Sequence, residues 1–159
     1  MNAAMDYRDQ FAGTDQGPTG GILKDLPSPY QPHANGLLHL PRFLAKIRKH
    51  LNGELPKSYQ RNFTKGFDRF LCLHLGVEPD QVIELVRSCT DAEELDRELA
   101  KCLPDDLRVH VWNRKMVQMG MSEMGREKVN EVKAEMGVAD REDLLSFADL
   151  IDYDEGRID

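Results

Sequence analysis

The chain has 159 residues, of which 40% are hydrophobic and 31% are charged, and its net charge is −7. These values are typical of one globular domain with a real core. Its cysteine count, three, is odd and includes no C-x-x-C pair, so neither a disulfide framework nor a zinc ribbon is indicated. No apolar run approaches the roughly 20 residues of a membrane-spanning helix, and the N-terminus shows no secretory signal. We therefore expect a cytoplasmic protein that does not insert into membranes.

The N-terminal residues divide into two parts. Residues 1–22 contain Gly, Pro, Asn, Asp and Gln with little periodicity, which predicts a flexible arm. Pro27, Pro29 and Pro32 disfavour helix in themselves and in the residues before them. We expect an extended segment there, lying on a single helical domain that comprises residues 23–159.

Helical periodicity begins at Leu40. Pro41 suits a first helical turn and Gly53 suits a helix end, so the first helix is predicted between them. One apolar stripe supports it, formed by Leu40, Phe43, Leu44, Ile47 and Leu51. Residues 67–75 are apolar nearly all round, which predicts a second helix at the centre of the bundle.

Five further helices follow from apolar spacing and capping residues. Their predicted starts are near Pro79, at Thr90 with Glu93 as its capping partner, after Pro104, at Ser122 and at Asp140. No segment shows convincing strand alternation. The predicted fold is therefore all-α, a single-domain bundle of about seven helices with an extended N-terminal arm. We expect its three cysteines to be reduced core thiols.

The charges are unevenly distributed along the chain. Residues 37–75 carry eight Lys or Arg and two acidic residues, a local charge of +6, which leaves −13 for the remainder. Such a basic segment permits nucleic-acid binding, but the acidic remainder makes that partner unlikely.

The start of the first helix is a candidate anion site. Its backbone N–H groups lack helical partners, and His39, Arg42 and Lys46 surround them. On a helical wheel Arg42 and Lys46 lie opposite the apolar stripe, so a solvated face or internal salt bridges are the favoured interpretation. A ligand anion is the alternative, and the protein's own acidic C-terminal part is another source of the negative charge.

Four other residues are of interest. Asp68, one of two acidic residues in the basic segment, is expected to form a structural ion pair with a nearby cation. His74 is expected to be a core histidine. Trp112 is expected in the core, and Asn113 lies at the edge of the same stripe with hydrogen-bonding groups to satisfy. No motif indicates a cofactor or a metal, so neither is predicted.

Several segments together resemble the uncharacterised bacterial family DUF5069. They are "DLPSP", "NGLLHLPRFLAKIRKHLNGELP", "GFDRFLCLHLGV", "VWN" and "MGVADREDLLSFADLIDYDEGR", and the resemblance extends from about Asp25 to Arg157. Leu40, Pro41, Arg42, Lys46 and Arg48 match most specifically, with Asp68 and the Trp112–Asn113 pair as secondary matches. The family pattern has Asp immediately before the Lys, where this chain has Ala45. The resemblance implies a cytoplasmic helical domain and no particular activity.

Our preferred functional hypothesis is a non-catalytic binding or regulatory module that recognises an anionic small molecule or an acidic protein surface. His39, Arg42 and Lys46 would contact the anion, Asn113 would orient it, and Asp68 and Trp112 would complete the site. The first alternative is an enzyme acting on a phosphorylated or carboxylated metabolite, with His39 or His74 as acid or base. The second alternative is nucleic-acid binding through residues 37–75.

Overall fold

The computed structural model describes residues 14–17, 20–23 and 25–159. It confirms the predicted all-α class: eight helices follow two short strands, β1 (Thr14–Gly17) and β2 (Gly20–Leu23). The helices are α1 (Leu40–Leu51), α2 (Lys57–Gln60), α3 (Phe67–Leu75), α4 (Pro79–Ser88), α5 (Ala92–Cys102), α6 (Val109–Gln118), α7 (Glu123–Glu135) and α8 (Phe147–Asp154). None of the helices in the described ranges has the length and apolar character needed to cross a membrane.

The predicted flexible arm is described only in part. Residues 1–13, 18 and 19 lie outside the described residues, so the prediction stands untested for them. The rest of the arm belongs to the antiparallel pair β1–β2, in which Thr14 is opposite Leu23 and Gly17 is opposite Gly20. Strands of four residues are too short to show an alternating pattern in the sequence, which is why no strand was predicted.

The extended Pro-rich segment lies on the helical core as predicted. Leu26 is buried, and the backbone of Pro32 pairs with that of Leu38 in an isolated antiparallel bridge. The Pro29 carbonyl accepts a hydrogen bond from the N–H of His39 at 2.9 Å. This segment therefore delivers the chain directly to the start of α1.

Two predicted helix starts are wrong. The N-cap of α5 is Asp91, whose side chain accepts from the Glu94 N–H, while Glu94 accepts from Thr90. The N-cap of α8 is Ser146, which forms a capping box with Asp149, so Asp140 caps no helix. Leu144 is buried without being helical, because the loop before α8 packs it against α7 and α8. An apolar residue at helical spacing was thus mistaken for part of the helix.

The predicted central position of α3 is also wrong in one respect. Its Leu71 and Leu75 are buried, but Phe70 and Leu73 are exposed, so one face of the helix borders solvent. Cys72 is a buried thiol as expected, whereas Cys102 is exposed. An all-round apolar pattern predicted burial, but the neighbouring helices cover only one side of α3.

The hydrophobic core has two parts. The larger part gathers buried side chains of the Pro-rich segment and of α1, α3, α4, α5 and α6, with Trp112 and Phe43 among the largest. The smaller part lies between α7 and α8 and centres on Val129, Leu144 and Leu150. Ala148 of α8 belongs to the larger part, so α8 contacts both parts of the core.

Candidate functional site

A cleft of about 1230 Å³ is lined by residues of the α1–α3 part of the chain and of the α6–α8 part. We call it the central cleft. One wall comes from the start of α1, from α2 and from the segment that leads into α3; the other comes from the end of α6, from α7 and from α8. Of the residues predicted for the site, His39, Arg42 and Lys46 line this cleft.

His39 occupies an unusual backbone position at the start of α1. Its φ angle is 71°, in the left-handed region that non-glycine residues rarely adopt, at a typical cost of about 1–3 kcal/mol. The side chain is 1% exposed. Its Nε2 lies 2.6 Å from Asp68 Oδ1, while its Nδ1 is buried and has no hydrogen-bond partner among the described residues.

Asp68, in the first turn of α3, connects three parts of the structure. Its carboxylate accepts from His39 Nε2, from Lys46 Nζ at 2.7 Å and from the Thr64 N–H at 2.9 Å. Burial alone would raise its pKa, but the charge of Lys46 and the hydrogen bond from His39 outweigh burial and lower it. Asp68 is therefore an ionised, fully bonded carboxylate, which confirms the predicted structural ion pair.

Arg42 forms a second buried ion pair, with Glu155 just after α8. Its two terminal nitrogens donate to Glu155 Oε1 and Oε2 at 2.8 and 2.6 Å, a two-point contact that suits guanidinium and carboxylate geometry. Burial alone would lower the pKa of Arg42, but Glu155 outweighs burial and raises it. Tyr59 in α2 also donates to Glu155, at 3.1 Å.

The expected solvated face is wrong for Arg42 and Lys46, each of which is 5% exposed. The other form of the favoured interpretation, internal salt bridges, is confirmed: Arg42 pairs with Glu155 in the acidic C-terminal part, and Lys46 pairs with Asp68. The helical wheel misplaced both residues because it takes the apolar stripe as the only buried face. Here the C-terminal end of α8 and Asp68 cover the opposite face as well.

The positive charges of Arg42, Lys46 and their neighbour Arg157 are balanced by carboxylates. Arg157 donates to both Glu155 and Asp152, and Asp152 accepts from Ser28 in the Pro-rich segment. Three cations, Arg42, Lys46 and Arg157, thus face three carboxylates. A protonated His39 would add an uncompensated buried charge. Burial accordingly lowers the pKa of His39 to about 4, against the opposing effect of Asp68, so the ring is neutral near pH 7.

Trp112 and Asn113 lie outside the cleft and act on the chain that precedes His39. Trp112 Nε1 donates to the Leu38 carbonyl at 2.9 Å. The amide of Asn113 accepts from the Leu38 N–H and donates to the Gly36 carbonyl, at 3.0 and 2.9 Å. Because these polar groups are engaged by backbone, both residues hold residues 36–38 in place.

His74 does not join the other predicted residues. It is partly exposed, its ring is tilted by 37° to that of Trp112 with centroids 5.8 Å apart, and it lines a separate cavity of about 180 Å³ with Asp106 and Arg108. It does not line the central cleft. The expected core position is therefore wrong in part, and the enzyme hypothesis that needs His74 beside Asp68 and Arg42 has no support.

Sequence reasoning did not identify several cleft residues. It missed Glu155 as the partner of Arg42, although the excess of acidic residues outside the basic segment indicated such a partner. It also missed Arg61, Lys65 and Lys115 on the rim, together with the apolar wall formed by Phe67, Phe70, Met119, Phe147 and Ile151. Among the described residues, no three His, Cys, Asp or Glu side chains are placed to hold a metal ion.

Comparison with families of known proteins gives a match over most of the chain. A family model described as a domain of unknown function (DUF5069) matches residues 24–157. No curated protein matches the chain. Inferences about the chemistry of the site are therefore drawn from the contacts described above.

Proposed function

Since this chain belongs to the DUF5069 family, whose function is unknown, we propose a function from the charge and lining of the central cleft. The protein is a binding module for a small anionic ligand that has an apolar portion. The hypothesis of a non-catalytic module that recognises an anion is therefore retained. The residues proposed to contact the anion first differ from those expected from the sequence. The ligand would enter between α2 and α7 and lie along the apolar wall.

The observation that carries this proposal is the charge of the cleft. Six basic and three acidic side chains line it, although the whole chain has a net charge of −7. In the part of the chain that the structure describes, Arg61, Lys65 and Lys115 form no ion pair. A concave surface lined mainly by one sign of charge concentrates the field and attracts the opposite charge. These three cations are the proposed first contacts of an anion.

Arg42 and Lys46 have a secondary role in this proposal. Their charges are already matched by Glu155 and Asp68 at hydrogen-bond distance. Displacing a buried carboxylate would cost several kcal/mol of free energy, which is more than the binding of a weak anion would contribute. They therefore hold the cleft wall in shape, and the anion binds at the rim.

The apolar wall explains why a simple inorganic anion is not the proposed ligand. Phe67 and Phe70 lie on one side of the cleft, and Met119, Phe147 and Ile151 lie on the other. Ligand sites typically combine an apolar lining with a few polar groups that fix orientation. A carboxylate or phosphate on an aliphatic or aromatic body fits both features.

The two alternative hypotheses receive less support. A general base needs a pKa near the working pH, and the pKa of His39 is about 4. Nucleic-acid binding through residues 37–75 needs exposed cations, but two of the eight basic residues of that segment, Arg42 and Lys46, are buried in ion pairs. We also infer a cytoplasmic location, which the free thiols of Cys72, Cys89 and Cys102 support.

The test compares decanoate, decyl phosphate and uncharged decanol by calorimetry and thermal shift, with wild type and Arg61→Glu/Lys65→Glu. We expect the two anions to bind wild type and raise its Tm, decanol to bind more weakly, and the double variant to lose most of the anion affinity. Arg97→Glu/Lys101→Glu makes the same charge change on α5, away from the cleft, and is expected to bind as wild type does. Failure of both anions to bind, or equal binding by both double variants, would contradict the proposal.

A further inference from the structure

Two non-glycine residues in the described ranges have a left-handed backbone, and the same carboxylate is bonded to both. They are His39, with a φ angle of 71°, and Thr64, with a φ angle of 65°. Asp68 accepts from His39 Nε2 at 2.6 Å and from the Thr64 N–H at 2.9 Å. For a β-branched residue such a φ angle is a genuine outlier, because Cβ comes too close to the following carbonyl oxygen. The surrounding structure must therefore hold Thr64 in this conformation.

Thr64 lies in a series of turns that connects α2 to α3. We call residues 61–66 the cationic turn, because they include Arg61 and Lys65, two of the three cations proposed to contact the anion first. Both cations line the central cleft, whereas Thr64 does not. Arg61 precedes Thr64 by three positions, and Lys65 follows it directly. Since φ and ψ are the two soft dihedral angles of a residue, those of Thr64 determine the direction of one cation relative to the other.

The cationic turn is fixed against the core on both sides of its strained residue. Phe63 is 9% exposed, and its ring centroid lies 6.4 Å from that of Phe43 and 4.7 Å from that of His50. The Lys65 N–H donates to the Asn62 carbonyl at 3.1 Å. The flanking backbone is therefore ordered, and small movements of these neighbours cannot relieve the strain.

We propose that Thr64 is a positioning residue for the anion. Its left-handed backbone, which Asp68 holds in place, keeps the two cations of the cationic turn in the orientation that binds the charged group of the ligand. This inference rests on the proposed function and adds to it a residue that does not line the cleft. Strained residues occur where the surrounding structure fixes them, and they cluster at ligand sites. Glycine makes a left-handed connection without this strain, as Gly66 does two positions later with a φ angle of 55°.

The restricted backbone of threonine favours binding because it orders the two cations before the ligand arrives. Ordering long side chains and their backbone on binding reduces affinity. Glycine at position 64 would adopt the same φ angle without strain, but it would also adopt many others. We therefore expect Thr64→Gly to bind anions more weakly without becoming less stable. A loss of affinity without a loss of stability distinguishes a positioning role from a structural one.

The test measures Kd by calorimetry and Tm by thermal shift, with decanoate and decyl phosphate as probes. We expect Thr64→Gly to bind each probe about threefold to tenfold more weakly than wild type does, with a Tm that is equal or higher. Thr64→Asn is the conservative variant, because asparagine tolerates the left-handed region and its side chain still restricts the backbone. We expect it to retain the wild-type affinity within about twofold.

A second measurement links Thr64 to the cation that follows it. Thr64→Gly is added to Lys65→Ala and, as the matched control, to Lys115→Ala on the opposite wall of the cleft. We expect its effect on affinity to shrink in the Lys65→Ala background and to persist in the Lys115→Ala background, since residues that act together are not additive.

The outcomes separate this inference from the proposed function. Wild-type affinity in Thr64→Gly, equal losses in Thr64→Gly and Thr64→Asn, or a loss of affinity that accompanies a lower Tm in Thr64→Gly each overturns the positioning role. An equal effect of Thr64→Gly in the two alanine backgrounds overturns it as well. All four results leave the proposed function intact, whereas failure of both probes to bind wild type overturns both proposals.

Discussion

At the scale of single residues, two Lys–Asp pairs with the same separation lie in different surroundings. Lys46 Nζ is 2.7 Å from Asp68, and Lys49 Nζ is 2.7 Å from Asp25. The first pair is buried, whereas the side chain of Asp25 is 73% exposed. Water solvates Asp25 and screens its attraction to Lys49, so the same contact has a different energetic consequence in each place.

We predict that Asp68→Asn destabilises the fold by about 3–5 kcal/mol, because it leaves the Lys46 ammonium buried without a countercharge. Asp25→Asn, the matched change in the exposed pair, is expected to cost less than about 1 kcal/mol. Urea unfolding followed by the fluorescence of Trp112 measures both values. A cost for Asp68→Asn as small as that for Asp25→Asn would show that the buried network does not need this carboxylate.

At the scale of helices, the joint between α6 and α7 determines how the cleft walls meet. Gly120 has a φ of 101° and packs closely: an added Cβ would lie 2.7 Å from Val129 Cγ2 and 3.1 Å from the backbone nitrogen of Phe147. That nitrogen donates to the Met119 carbonyl, which ties the start of α8 to the end of α6. Gly137, after α7, also has a positive φ, of 75°, but no atom lies within 4 Å of its would-be Cβ.

Alanine substitutions at the two glycines distinguish the energetic cost of backbone strain from the cost of steric crowding. Gly137→Ala is expected to cost about 1 kcal/mol, the strain of a left-handed alanine. Gly120→Ala is expected to cost about 1–3 kcal/mol more, because Val129 and the α8 backbone must move. Thermal or urea unfolding of the two variants gives the comparison. Equal costs would mean that the joint has room for a methyl group.

The sequence predicted a helix correctly where its capping residues and its apolar stripe indicated the same boundaries. The stripe from Leu40 to Leu51 and the Ser122 cap predicted α1 and α7 correctly. The start of α8 was wrong because Asp140 and Ser146 both suit an N-cap, and only Ser146 has an acidic side chain three residues later that packs as a capping box. The choice between two suitable caps depended on the tertiary position of Leu144.

At the scale of the whole molecule, acid stability follows from the buried charge cluster. The pKa of His39 is about 4 in the folded state, against 6.5 for an unperturbed histidine. Between these two pH values the unfolded chain therefore binds a proton at His39 and the folded chain does not. The pKa values of Asp68 and Glu155 are lowered as well, from 3.8 and 4.5. All three groups therefore stabilise the fold at neutral pH and lose that contribution on acidification.

The sign and range of this effect make a test. Between pH 7 and pH 5, His39 is expected to remove about 2 kcal/mol from the free energy of unfolding. The two carboxylates add a further loss only below about pH 4.5. Urea midpoints for wild type and His39→Gln at both pH values isolate the contribution of His39, because the other histidines are common to both proteins. A wild-type loss no larger than that of the variant would contradict a neutral, buried His39.

The sequence by itself determined the helical class, most helix boundaries and the grouping of His39, Arg42 and Lys46 at one helix start, because these depend on residue spacing and local capping. Only the tertiary structure decided that Arg42 pairs with Glu155, that Lys46 and His39 share Asp68, and that His74 lies elsewhere. Arg42 and Glu155 are 113 positions apart in the chain. Pairing over such distances depends on how helices pack, and charge counts in a linear sequence contain no record of that packing.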